Sequence, residues 1–256
     1  MSTSTQNTTP ISSVGDDVNK GKEDNDPQTI FYLNRILAAS SQQAIDTPLE
    51  DIWTTLYFWA PRIEQTVQQQ LGNDDIHEHH SLKASWERAA YRVRLVDHLA
   101  RTTPWLMMVR DNSAAPSDEK LIGEYHHDKM IYQHAVSDYL QVNLPADVPV
   151  EKLQIIERYI TETIVLGQDI TDKDLRFALV YPLMIETGIS LQSGVRVITF
   201  TFTTKHPDES TKVVSISKTI YEARINKRLF DGQTFDQEYL ALGKGLVADA
   251  TFDFFA

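Results

Sequence analysis

The sequence predicts an α+β protein: a mainly helical N-terminal two-thirds packed on a small antiparallel sheet, closed by a C-terminal helix. Three observations predict it. Apolar residues recur at three- and four-residue steps through several segments before residue 168. Two alternating runs follow in "GVRVITFTFTTKHPDESTKVVSISKTIYEARI", joined by "KHPDES", which is a hairpin signature with a longer loop. A capped periodic stretch then begins at Thr234.

Residues 1–27 are Ser, Thr, Asn, Gly and charged residues with almost nothing to bury, so they read as a disordered tail. Residues 28–256 read as one α+β domain with helices on one face of the sheet. In "DPQTIFYLNRILAASSQQ", Ile30, Leu33, Ile36 and Leu37 share a helical face. Next, Thr47 suits an N-cap, Pro48 a first helical position and Glu50 a capping box. Ile52, Leu56, Trp59, Ile63 and Val67 form the stripe of that helix, and Gly72 is its stop. Pro61 lies inside it and should kink or divide it.

A further helix begins near Ser81, with Leu82, Trp86, Ala89, Val93, Val96 and Ala100 in register. "WLMMV" is a buried strand or a helix end, and "NSAAPSDEK" is a loop. "GEYHHDKMIYQHAVSDYLQVN" reads as a helix. Another carries Leu153, Ile156, Ile160 and Ile164, with Gly167 after its end. "ITDKDLRFALVYPLMIETG" is ambiguous: its start resembles a helix cap, while Phe177 to Tyr181 resemble a strand. In the hairpin, Ile198, Phe200 and Phe202 share a parity, as do Val214, Ile216 and Ile220; the opposite parity is Ser and Thr. The last helix carries Phe235, Tyr239, Leu242 and Leu246, weakened by Gly243 and Gly245. The apolar end "TFDFFA" should be pinned to the rest of the chain.

Bulk composition narrows the function. The chain has 256 residues, 24 basic against 36 acidic, and a net charge of −12. That field repels nucleic-acid phosphates and anionic headgroups, so nucleic acid is not an expected partner and a membrane is a poor one. Arg88, Arg92, Arg94 and Arg101 cluster, but on a mixed helix face. The chain lacks cysteine, which removes disulfides, thiolate catalysis and Cys-type zinc sites. No apolar run reaches the roughly eighteen residues of a membrane span, and a cytoplasmic location is expected.

Chemistry-bearing residues concentrate in two stretches. "NDDIHEHHSL" (73–82) lies in a connection between two helices, where His77 and Glu78 could each supply one metal ligand. Glu124 and His127 form an E-x-x-H pair whose members share a face if the segment is helical. That pair is similar to one found twice in ferritin-like di-metal bundles, although a second copy is lacking here. His126, His127 and Asp128 also admit comparison with metal-dependent phosphohydrolases of the HD superfamily, through His98, His127, Asp128 and Asp169 or Asp172. The flanks "LIGEY" and "KMIYQ" depart from the small apolar helix of that family. A stripe of Glu124, His127, His134 and Asp138 could face a cleft, with His134 and Asp138 poised for general-base work.

The expected function is non-enzymatic: an acidic interaction or ligand-binding protein that contacts a protein partner or another copy of itself. Trp53, Tyr57, Phe58 and Trp59 cover more than one face of their helix, and Phe252, Phe254 and Phe255 crowd the chain's end; these are the expected contact residues. No cofactor is expected. The alternatives are a hydrolase holding a divalent metal at His77, Glu78, Glu124, His127 and Asp128, with His127, His134 and Asp138 catalytic, and a pore-forming protein that deploys the 195–225 hairpin.

Overall fold

The computed structural model describes residues 26–34, 42–71, 81–111, 120–124, 136–138, 140–142, 150–168, 174–187, 190–205 and 213–253. Strands β1 (Ile30–Asn34), β2 (Leu106–Asp111), β3 (Lys120–Glu124), β4 (Leu175–Thr187), β5 (Ser190–Lys205), β6 (Val213–Ile225) and β7 (Thr251–Asp253) form one seven-stranded sheet. Helices α1 (Gln42–Leu71), α2 (Leu82–Thr102), α3 (Val150–Gln168), α4 (Lys227–Asp231) and α5 (Gln237–Asp249) pack against it. The α+β class and the C-terminal helix agree with the sequence.

The sheet is larger than expected, and it is mixed. Its order is β2-β6-β5-β4-β1-β7, with β3 beside β2 on the edge of β6. The antiparallel hairpin forms its centre, in register from Lys205↔Val213 to Gly194↔Arg224. β1 pairs in parallel with both β4 and β7. One strand was read otherwise from sequence, and two segments left open there are strands. "IFYLN" becomes β1 rather than a helix because it is apolar on both faces: Ile30 and Tyr32 point to one, Phe31 and Leu33 to the other. Period alone cannot separate such a doubly buried strand from a buried helix. "WLMMV" resolves as β2, and the ambiguous segment as β4. Pro182 is tolerated there because β1 pairs only as far as Val180, so no N–H is required on that side.

Helices cover both faces, not one. Ala178, Val180, Val195, Val197, Tyr221 and Ala223 pack under α1 and α2, and α5 lies against α1. Phe177, Leu179, Ile198, Phe200 and Phe202 pack under α3, whose Ile156, Ile160 and Ile164 are fully buried. A helical stretch carrying Val136 and Leu140 joins that second core.

Local signals explain most boundaries. Ser81 caps α2, its hydroxyl accepting from the Ala84 amide at 3.1 Å. α1 starts at Gln42, before the expected Thr47–Pro48 cap, and runs undivided through Pro61. α3 extends past Gly167 to Gln168. Asp236, not Thr234, caps α5, accepting from the Glu238 and Tyr239 amides at 2.9 and 3.1 Å. Lys120 to Glu124 form β3, whereas the sequence pattern ends a loop at Lys120 and begins a helix at Gly123.

Candidate functional site

The residues first expected to carry function are dispersed. His77, Glu78, His127, Asp128, His134, Phe254 and Phe255 lie outside the described residues. Glu124 is on strand β3, paired with Val213, so the helical spacing that would align it with His127 does not apply. Asp138 is exposed, and His98 is exposed on α2. Among the described residues, no group of His, Asp and Glu could hold a metal ion.

The aromatic helix turns inward. Trp59 is fully buried, its indole donating to Thr103 Oγ1 at 2.9 Å, and no partner can reach it. Phe58 packs edge-on against Trp105 and Phe235, with centroids 5.3 and 6.0 Å away, and lies beside Tyr239. Trp53 and Tyr57 stack on each other at 6.1 Å and are half-buried against the same core. The excess apolar face of α1 is therefore met by this chain's own α4 and α5. Thr251 to Asp253 of the apolar C-terminal stretch are pinned as β7, where Phe252 pairs with Leu33.

What the tertiary structure brings together is a polar seam between α2 and the sheet. Alternation places Arg176, Thr201 and Ser217 in one row across β4, β5 and β6; Ala178, Thr199 and Thr219 form the next, and Val180, Val197 and Tyr221 the third. α2 crosses these rows on a diagonal. Asp97 reaches the Thr199 hydroxyl, which donates to it, and lies within electrostatic reach of Arg176 and Arg101. One turn on, Arg101 donates to the Tyr221 hydroxyl at 2.6 Å and lies over its ring at 4.6 Å. It also ion-pairs with Asp111 of β2 at 3.7 Å.

Burial dominates the seam's electrostatics. It pushes the Asp97 carboxyl up to about 6, against the opposing pull of Arg101 and Arg176. It also raises the Tyr221 phenol, helped by the Asp97 charge and opposed by Arg101. Asp97 Oδ1 and Arg176 Nε are buried with no hydrogen-bond partner among the described residues. A charged group left so costs more than the 1–3 kcal/mol or so of a neutral one.

At the Arg176 end the seam opens into a cavity of about 430 Å³ between α2 and the start of β4. Trp86 and Tyr91 form an aromatic wall, and Glu87, Arg94, Asp174 and Arg176 supply charge. Arg94 is exposed at α2's surface, and Arg176 Nη2 meets Asp174 at a long 3.5 Å.

On the other side of α2 the same arginine-rich stretch does something different. Arg88 and Arg92 face inward and grip Asp26 at 2.6 Å each, and Arg92 also binds Glu64 at 2.9 Å. Thr29, three residues on, donates to the Ala89 carbonyl at 3.0 Å. Asp26, inside the stretch read as tail, is thus anchored.

Sequence reading missed Asp97, Arg176, Thr199 and Tyr221. Their only local trace was the i,i+4 pair Asp97–Arg101 and a single arginine heading the apolar run "LRFALVY". The fold is thus a three-layer helix–sheet–helix protein with a charged, aromatic-walled cavity on one face of its sheet. The chain matches no family model, no curated protein and no solved structure.

Proposed function

We propose that this chain is a non-enzymatic ligand-binding protein, and that a small molecule occupies the cavity between α2 and β4. The observation that carries this reading is the cavity itself: about 430 Å³, with an aromatic wall and a few convergent charged groups. Binding pockets for small ligands fall at roughly 300–1,000 Å³ with that kind of lining. The net charge of −12 supports a discrete ligand over a polyanion. Cytoplasmic residence belongs to the same proposal; among the described residues no helix is long and apolar enough to cross a membrane.

The test is a thermal-shift screen of the full chain against chemically diverse small molecules, repeated on Ala90→Trp, which fills the cavity from its α2 wall. Hits that raise the wild-type midpoint and leave the folded variant unmoved support the reading. Hits that stabilise both proteins equally place the ligand elsewhere and refute it.

Self-association is a second reading, and one observation favours it. β2 lies at the sheet edge, and its Met107, Met108 and Val109 are 38–50% exposed. An apolar edge strand is a ready template for pairing with another chain. The partner contact, first expected at α1, then moves to β2. Light scattering across a concentration series checks this: the mass should rise with concentration and stay monomeric for Val109→Lys, since an edge lysine opposes pairing.

A further inference from the structure

We infer that the ligand of this cavity is a small aromatic carboxylate, its carboxylate held by Arg176 and Arg94 and its ring lying against Trp86 and Tyr91. This rests on the ligand-binding reading above and names the ligand's chemistry.

The argument starts from Arg176. Its side chain lines the cavity and stays 30% exposed, although Nε itself is buried away from it. Its contact with Asp174, at 3.5 Å, is at the limit of a hydrogen bond. A guanidinium edge offers two parallel N–H donors, and a carboxylate is the acceptor whose two oxygens match that fork. Arg94, from the facing helix, adds a second positive charge to the same cavity.

The cavity's own acids do not cancel this. Glu87 lies seven residues before Arg94, about 10 Å away along the helix axis, so the acidic and basic ends of the α2 wall are separated. Asp174 is already turned toward Arg176. From α2, Asp97, held by the Thr199 hydroxyl, lies within electrostatic reach of Arg176. Between the two ends Tyr91 offers an aromatic ring, and the mostly buried Trp86 lines the cavity beside Glu87. An aliphatic acid would leave that wall uncovered, and a cation would face two guanidinium groups.

The experiment uses three fragments that share a ring and differ in charge: benzoate, benzamide and benzylammonium. Each is titrated at millimolar concentration into the full 15N-labelled chain. The readout is the Trp86 indole N–H resonance, assigned by its loss in Trp86→Phe. Benzoate should bind about tenfold more tightly than benzamide, the worth of a charge-assisted hydrogen bond. Benzylammonium should be weakest. Arg176→Gln should bring benzoate down to the level of benzamide while leaving benzamide unchanged; Arg94→Gln should do so in part, and serves if Arg176→Gln does not fold. Benzamide or benzylammonium binding as tightly as benzoate to the wild-type chain would overturn the carboxylate assignment and leave the cavity reading standing. If none of the three shifts Trp86, the aromatic-carboxylate assignment falls, and the thermal-shift screen on wild type and Ala90→Trp decides the cavity reading separately.

Discussion

Two carboxylates on opposite sides of α2 show how neighbours decide what burial does to a charge. The Asp26 side chain is 3% exposed, and burial alone would raise its pKa; the hydrogen bonds and charges of Arg88 and Arg92 outweigh this and hold it below 3.8. Asp97 has weaker compensation, and burial raises it to about 6. The signs of linkage are opposite. The stabilisation from Asp26 is present above its ordinary value of 3.8 and is lost as pH falls through the lower folded value. For Asp97, stability is greatest below 3.8 and declines as pH rises through about 6. Asp97→Asn should flatten the denaturation free energy across that interval and stabilise the protein near neutral pH by about 1–2 kcal/mol. An unchanged pH profile would show that Asp97 is better compensated than its surroundings imply. Asp26→Ala should instead cost about 3 kcal/mol at neutral pH, since it leaves buried guanidinium charge short of a partner. Urea denaturation of both variants measures these effects.

At the scale of elements, α1 and α5 explain why one helix can be aromatic on more than one face. α1 is sandwiched between the sheet and α5, so both sides of it are interior. The close approach is made at Gly243, where an added Cβ would sit 1.8 Å from the Tyr57 carbonyl oxygen. Gly245, two residues on, has nothing within 4 Å of such an atom. The two glycines therefore predict opposite outcomes. Gly243→Ala should force α5 away from α1 and destabilise by about 2–3 kcal/mol, as overpacking does. Gly245→Ala should stabilise by up to about 1 kcal/mol, the helix-propensity difference. Thermal or chemical denaturation of the pair decides it, and equal effects would contradict the packing. From sequence, both glycines look like the same weakness in α5; only the helix across from them separates their roles.

At the scale of the molecule, the sheet ties distant parts of the chain together. β1 is gripped between β4 and β7, so the two ends of the described chain meet on one strand. Removing residues 251–256 strips three register pairs from β1 and should lower the melting temperature by about 2–4 °C for each kcal/mol lost. A truncated chain with an unchanged midpoint would mean that β7 adds nothing to the fold. The hairpin first considered for membrane insertion lies in the middle of this sheet, bonded on both sides and packed under α3. Releasing it would dismantle the sheet, so dye-loaded liposomes should stay intact at neutral pH.

The sequence by itself determined the helices whose burial is one-sided, and the central hairpin. α2 and α3 each bury one apolar stripe, which a periodic pattern records directly, and the Thr/Ser alternation with the loop between the two runs marked the β5–β6 hairpin although both its faces are covered. β1 was misread because burial on both sides erases period. The candidate site was almost illegible for a different reason. Asp97, Arg176, Thr199 and Tyr221 come from one helix and three strands, and each looks ordinary among its sequence neighbours. Strand order and the diagonal crossing of α2 bring them together, and only the tertiary structure sets these, because they depend on how separated segments exclude water from one another.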